Sequence, residues 1–170
     1  MKIQPFDESL SDSTIDALRS VIKTGDDYPP THRVTDSDRV LQAWLNNCDL
    51  WSRWVATHKS EVIGHVLLCN PHKIIPHLNR AGYVGLSTNG FAEVAKLFVN
   101  PDFRSQGVGT ELLNAVRREA WESGCQPVLF VVNPSFHAKP LYLREGFVEV
   151  IDFFSVHGLN TVMVDEVIPT

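Results

Sequence analysis

The spacing of apolar residues divides the chain into helical and extended stretches before any chemistry is considered. Ile15, Leu18, Val21 and Ile22 recur at helical spacing, which predicts a first helix capped by Ser11 or Ser13 and ended near Gly25. A second helix is expected from Asp36 or Ser37, with Val40, Leu41, Trp44 and Leu45 on one side and a stop before Asn46 and Asn47. Two short helices are therefore expected ahead of the sheet. WSRWVAT and EVIGHVLLC, rich in β-branched and aromatic residues, flank the polar HKS and read as an antiparallel hairpin. Residues 70–90, NPHKIIPHLNRAGYVGLSTNG, read as an irregular insertion.

The second half alternates the two periods. AEVAKLFV predicts a strand, and GVGTELLNAVRREAWES an amphipathic helix with Val108, Leu112, Leu113, Val116, Ala120 and Trp121 on one stripe and Gly124 as its stop. QPVLFVV is a nearly continuous apolar run, as in a strand buried on both faces. A short helix in HAKPLYLREG, a strand from Phe147 and a last strand in TVMVDEV complete the chain. Pro140 fits that helix if it begins near Phe136 or His137, because a first-turn amide has no acceptor within the helix. Val94, Leu97 and Val99 cannot all face one way under strict alternation. Either an extra residue between Val94 and Leu97 restores their register, or both faces of the strand are buried.

These elements give an α/β class with a mixed sheet, and the 170 residues suit one domain spanning 1–170. The net charge of −5 argues against nucleic acid and anionic membranes as partners. No window approaches the roughly 20 apolar residues of a membrane span, and the start has no signal-peptide core, so cytoplasmic residence is expected. Cys48, Cys69 and Cys125 lack the close spacing of a zinc or redox motif and read as reduced, buried thiols. Seven histidines, His72 and His77 among them, form no ligand set, so no metal is expected. Trp44, Trp51 and Trp54 fit core or pocket walls.

Between the strand and the long helix lies RSQGVG, Arg104 to Gly109. Glycines let the backbone approach an anion, and the unpaired amides and positive dipole end of the helix favour its charge. Leu112 stands where the dinucleotide fingerprint has its third glycine, and the loop lacks the Gly, Lys, Ser/Thr ending of a nucleotide P-loop. What remains resembles motif A of the Gcn5-related N-acetyltransferases (GNAT). The likeness extends back through LFVNPDF and forward through NPSFHAKPLYLREGF, covering about residues 91–150.

The resemblance implies a mixed, mostly antiparallel central sheet with a parallel, splayed strand pair flanked by helices, and acetyl-CoA as co-substrate. It places the donor against Leu97, Phe98 and Val99, in a strand that carries a bulge in this family, and against Arg104, Ser105, Gln106, Gly107, Val108, Gly109 and Thr110. Asn133 is expected either to cap the next turn or to contact the pantetheine arm, which in relatives lies in the splay between the strands ending at Val99 and Val132. A thiol of pKa about 8.5 is a good leaving group, so acyl transfer to an amine needs no covalent enzyme nucleophile. It needs proximity, a neutral amine, an oxyanion donor and a proton for the thiolate. Relatives carry a base at the position of Glu93, acting through water, and an acid at the position of Tyr142. The alternatives are a strand-end carboxylate paired with a basic residue and a core tyrosine.

In this family the acceptor is set by segments corresponding to residues 24–35 and 70–90. There Asp26, Asp27, Tyr28 and His32 either position a cationic amine or form a solvated acidic turn. The expected partner is a small-molecule or peptide amine, and the expected assembly a monomer or homodimer. The competing class is a non-catalytic acyl-CoA-binding sensor, which would need the loop but neither proton-transfer group.

Overall fold

The chain opens on a strand rather than on the expected helix. In the computed structural model, which describes residues 1–25, 28, 37–87, 89–132 and 138–167, β1 (Lys2–Pro5) pairs antiparallel with β2 (Leu50–His58) from Lys2↔Thr57 to Pro5↔Trp54. KIQP is too short to show alternation, and a proline at its end suits an edge position. A 3₁₀ turn at Glu8–Leu10, capped by Asp7, runs directly into α1 (Ser11–Ile22). Neither expected serine caps that helix. Leu10 holds the N-cap position, and Ser13 Oγ instead accepts from Val62 N at 2.7 Å.

The helix α2 (Asp38–Asn46) buries Leu41 and Leu45 as expected, whereas Val40 is exposed. The hairpin is confirmed: β2 joins β3 (Glu61–Cys69) through Lys59 and Ser60, with φ of 48° and 70°. Two positive φ values in a two-residue connection match the right-handed twist of the flanking strands. Trp51, expected in the core or in a pocket wall, is 44% exposed.

Seven strands form one sheet in the order β1-β2-β3-β4-β5-β7-β6, with β4 at Phe91–Val99, β5 at Gln126–Val132, β6 at Phe147–Ser155 and β7 at Gly158–Asp165. The parallel pair is β4 and β5, running from Phe91↔Gln126 to Glu93↔Val128. The strand β7 is antiparallel to β5 and to β6. Contacts group the chain into two compact units, Met1–Cys69 with Ala95–Val116, and Asn70–Val94 with Arg117–Thr170.

In the first unit the two faces of β3 carry different covers. Val55, the cross-strand partner of His65, joins Ile15, Leu18, Leu41, Leu45 and Phe98 in an apolar cluster beneath α1 and α2. Gly64, on the opposite face, meets α4 (Val108–Glu122). A Cβ there would stand 2.8 Å from Leu112 Cδ1, 3.1 Å from Val108 Cγ1 and 3.2 Å from the Phe98 carbonyl oxygen. Only a residue without a side chain admits the helix at this distance. Val108, Leu112, Leu113, Val116 and Ala120 are buried, and Trp121 is half-buried. Gly124, at φ 72°, closes α4 with paired bonds from Gly124 N to Trp121 O and from Cys125 N to Ala120 O.

In the second unit, residues 70–90 are not wholly irregular, since they contain α3 (Ile75–Arg80) with Pro76 in its first turn. Leu78 and Ile74 pack with Val128, Val162 and Val164. β5 is buried except at Phe130, which is 38% exposed, and at the half-buried Val132, so it is not covered on both faces throughout as expected. Pro140 falls in the first turn of α5 (Ala138–Arg144), and Phe136 and His137 lie outside the described residues. A buried ion pair ties α4 to β7: Arg117 Nε and Nη2 donate to Asp165 Oδ2 and Oδ1 at 2.7 and 2.9 Å. Trp121 Nε1 and Val167 N also donate to that carboxylate. No helix among the described residues is long and apolar enough to cross a membrane.

Candidate active site

The loop leading into α4 has the backbone needed to receive an anion. Ser105 and Gly107 are left-handed, at φ 59° and 82°, and Ser105, Gln106 and Gly107 are exposed. Gln106 Nε2 donates to the Asp102 carbonyl at 3.1 Å, fixing the near side of the turn. The bond of Glu111 N to Gly107 O, 3.0 Å, begins the helical ladder, so the amides of residues 107–110 precede it and have no acceptor within the helix. Alternating left- and right-handed residues turn successive N–H groups toward one side, and the helix dipole adds positive potential there. An added Cβ at Gly107 would meet nothing within 4 Å, so the glycine serves its φ rather than space. Val108 is buried against β3, whereas Arg104 is half-buried.

The strand before the loop is interrupted where the sequence left two readings open. Lys96, at φ 52°, stands between Val94 and Leu97, and a left-handed lysine breaks the pleat. Phe98 is buried, and Leu97 and Val99 are half-buried.

Two side chains hold this irregularity. His65 Nδ1 lies 3.0 Å from the Lys96 carbonyl oxygen, and its ring stacks on Phe98 with centroids 4.9 Å apart. A carbonyl only accepts, so Nδ1 carries the hydrogen and Nε2 is a bare acceptor. Nε2 is buried without a hydrogen-bond partner, and complete burial pushes the ring's pKa down to about 3, with Arg53 and Lys96 adding like-charge repulsion. Lys96 Nζ donates to the Trp44 and Leu45 carbonyls at 2.5 and 3.3 Å, at the C-terminal end of α2, and lies 5.2 Å from the Trp44 ring. That is the favourable end of a helix for a cation. Sequence reasoning missed both residues. A lone histidine in an apolar strand does not announce a backbone partner on the next strand, and nothing local announces a lysine at positive φ.

The two proposed proton-transfer residues both belong to the second unit. Glu93 is half-buried and sits opposite Val128 in the β4–β5 ladder. Tyr142, in α5, is 8% exposed, with its ring 5.8 Å from that of Phe147 at 55°. Burial pushes its phenol above the ordinary value, and no hydrogen bond to it is found among the described residues. Tyr142 therefore has the packing of a core residue.

Asn133, Asp26, Asp27 and His32 lie outside the described residues. Tyr28 packs edge-on against Trp44, with ring centroids 5.8 Å apart.

The fold is similar to solved acetyltransferases. An aminoglycoside 6'-N-acetyltransferase complexed with coenzyme A is 18% identical, with a TM-score of 0.68 over 100% of this chain and 99% of that one. A PaiA N-acetyltransferase from Thermoplasma acidophilum in complex with coenzyme A is 16% identical, with a TM-score of 0.65 over 98% of each chain. A ribosomal-protein alanine N-acetyltransferase from Escherichia coli is 15% identical, with a TM-score of 0.63 over 96% of this chain and 92% of that one. No curated protein matches the sequence. The model of the Acetyltransferase (GNAT) family matches residues 20–147, well over half of the chain, and the chain belongs to that family.

Proposed function

We propose that this protein is an N-acetyltransferase that moves the acetyl group of acetyl-CoA to a primary amine by direct attack in a ternary complex. The observation that carries the reading is the loop of residues 104–110, whose two left-handed residues lead into the first turn of α4, ahead of its first ladder bond from Glu111 N to Gly107 O. The amides of that turn, with Arg104 near them, would receive the pyrophosphate of CoA. Backbone groups of Leu97, Phe98 and Val99, just past the break at Lys96, would receive the pantetheine arm and the thioester oxygen, and Asn133 would contact the arm further along. The bound structures among the neighbours support coenzyme A as the ligand.

Glu93 would draw the proton from the attacking amine through a water. Tyr142 would return a proton to the departing thiolate, a role supported by its raised pKa, which keeps the phenol protonated at neutral pH. The acceptor would be a small-molecule or peptide amine.

The test is thiol release from acetyl-CoA across a panel of polyamines, aminoglycosides and peptides with free N-termini. Acceptor-dependent release is expected with at least one class. Tyr142→Phe should lower kcat about 10²-fold with CoA affinity nearly unchanged, and Glu93→Gln should depress activity most at the acidic end of the pH profile. CoA binding without release on any amine would overturn catalysis and leave an acyl-CoA sensor. A fully active Tyr142→Phe would remove the acid role alone.

A further inference from the structure

Cys48 and Cys69 are 21 positions apart in sequence, yet the fold brings their sulfurs together. Cys48 lies in the short connection after α2, with its amide donating to the Asn46 carbonyl at 2.9 Å. Cys69 is the last residue of β3 and pairs across the ladder with Leu50, two residues beyond Cys48. The Cys69 thiol donates to Cys48 Sγ with the sulfurs 2.8 Å apart, and no disulfide bond joins them. Cys69 is 1% exposed, whereas Cys48 is half-buried and open in part to solvent. We propose that the two form an oxidation site, at which a hydroperoxide attacks through Cys48 and the pair closes to a disulfide.

The chemistry balances in two steps. Cys48 Sγ, after losing its proton, attacks the terminal oxygen of the hydroperoxide; an S–O bond forms, the O–O bond breaks, and the displaced alkoxide leaves as an alcohol, or as water when the oxidant is hydrogen peroxide. The sulfenic acid at Cys48 is then attacked by Cys69 Sγ; the S–S bond forms, the S–O bond breaks, and hydroxide leaves as water with the proton from Cys69. Two electrons pass from the sulfur pair to one peroxide. A dithiol reductant reverses the result. The surroundings favour this division of labour, since the accessible sulfur meets the oxidant and the buried one resolves the product.

Arg53, whose cross-strand partner Leu67 lies two residues before Cys69, supports the exchange electrostatically. Burial lowers the pKa of its guanidinium, while Glu8 and, after it, both sulfurs favour the charged form. Its Nη2 donates to Asn46 Oδ1 at 2.7 Å, beside Cys48, and its Nε is buried without a hydrogen-bond partner. A positive charge with an unused N–H donor is thus offered to whichever sulfur is negative during the exchange. Cys125 has none of this. It is buried, and its thiol contacts the carbonyls of Asn89 and Ser123 at 3.7 and 3.9 Å.

The test uses the full chain and does not depend on acetyl transfer. The protein is exposed to stoichiometric hydrogen peroxide, alkylated under denaturing conditions, and read by intact mass and peptide mapping. The expected result is a loss of about 2 Da, a peptide pair cross-linked through Cys48 and Cys69, alkylation of Cys125 alone, and reversal by dithiothreitol. Cys69→Ala should stop at a sulfenic acid on Cys48 that dimedone traps. Should that buried position not tolerate change, Cys48→Ser keeps the test open, because it should show neither cross-link nor oxidation at Cys69. The oxidised wild type should melt roughly 5 to 10 °C above the reduced form, as for a disulfide closing a loop of this length. Alkylation of both Cys48 and Cys69 after peroxide, overoxidation of Cys48 without cross-linking, or pairing through Cys125 would each overturn the proposal.

Discussion

The two compact units each hold a cluster of ionisable side chains around a buried member, and the clusters are built on opposite principles. In the second unit, Arg117 and Asp165 meet as a two-bond ion pair, and the carboxylate also accepts from Trp121 and Val167. In the first unit, His65, Lys96 and Arg53 bring basic groups together, with hydrogen bonds to backbone carbonyls and to the Asn46 side-chain oxygen. Carbonyls and an amide oxygen take the protons there, His65 stays neutral, and two nitrogens have no bond. The saturated cluster is a fastening. The unsaturated one holds Lys96 in a conformation that lysine does not favour, next to the strand segment assigned to the acyl donor. The strain at Lys96 and the unspent nitrogens of His65 and Arg53 lie near segments for which function is proposed.

This contrast can be broken from either side. The largest effect is expected from Asp165→Asn, which leaves the Arg117 charge buried opposite a neutral amide. Stability should fall by about 3 to 5 kcal/mol, measured by urea denaturation. Acid should act next, and in the other unit. The unfolded chain protonates His65 below its ordinary value of 6.5 while the folded chain holds it neutral down to about 3, so folding loses stability as pH falls through that window. Between pH 6.5 and 4.5 the loss from this residue should reach about 2 to 3 kcal/mol, and His65→Asn should flatten the slope in the same window. An unchanged slope would mean that His65 is not buried neutral.

Gly64→Ala should cost about 2 kcal/mol by overpacking against Leu112 and Val108, without altering the pH slope. Lys96→Met should cost least, about 1 kcal/mol. It removes a cation from the end of α2 and keeps much of the packing on Trp44.

What the sequence disclosed follows the range over which each feature is determined. The stripe of α4 and its closing glycine depend on residues within a few turns of one another, and both were legible. The Lys59–Ser60 hairpin was legible from the apolar runs around it. The loop glycine at 107 announced itself, but Ser105 at positive φ did not, because serine has no special claim to that region. β1 was missed because its existence depends on pairing with residues 54–57, far along the chain. The helix α3 was hidden by the turn-forming residues around IIPHLN, although proline is at home in a first turn. The longest-range features were the least legible. Nothing in the local sequence connects Cys48 to Cys69, His65 to the carbonyl of Lys96, or Arg117 to Asp165, and each becomes visible only when strands and helices have set their registers.

The glycine under α4 gives the proposed donor site an indirect control. Position 64 touches Val108, the first residue of the helix, so the seat of the 104–110 loop is set by how little volume stands on a strand some forty residues earlier. Side chains of graded size at that position would lift the helix start by graded amounts. They would act as a dial on acyl-CoA affinity that leaves every proposed donor contact unmutated.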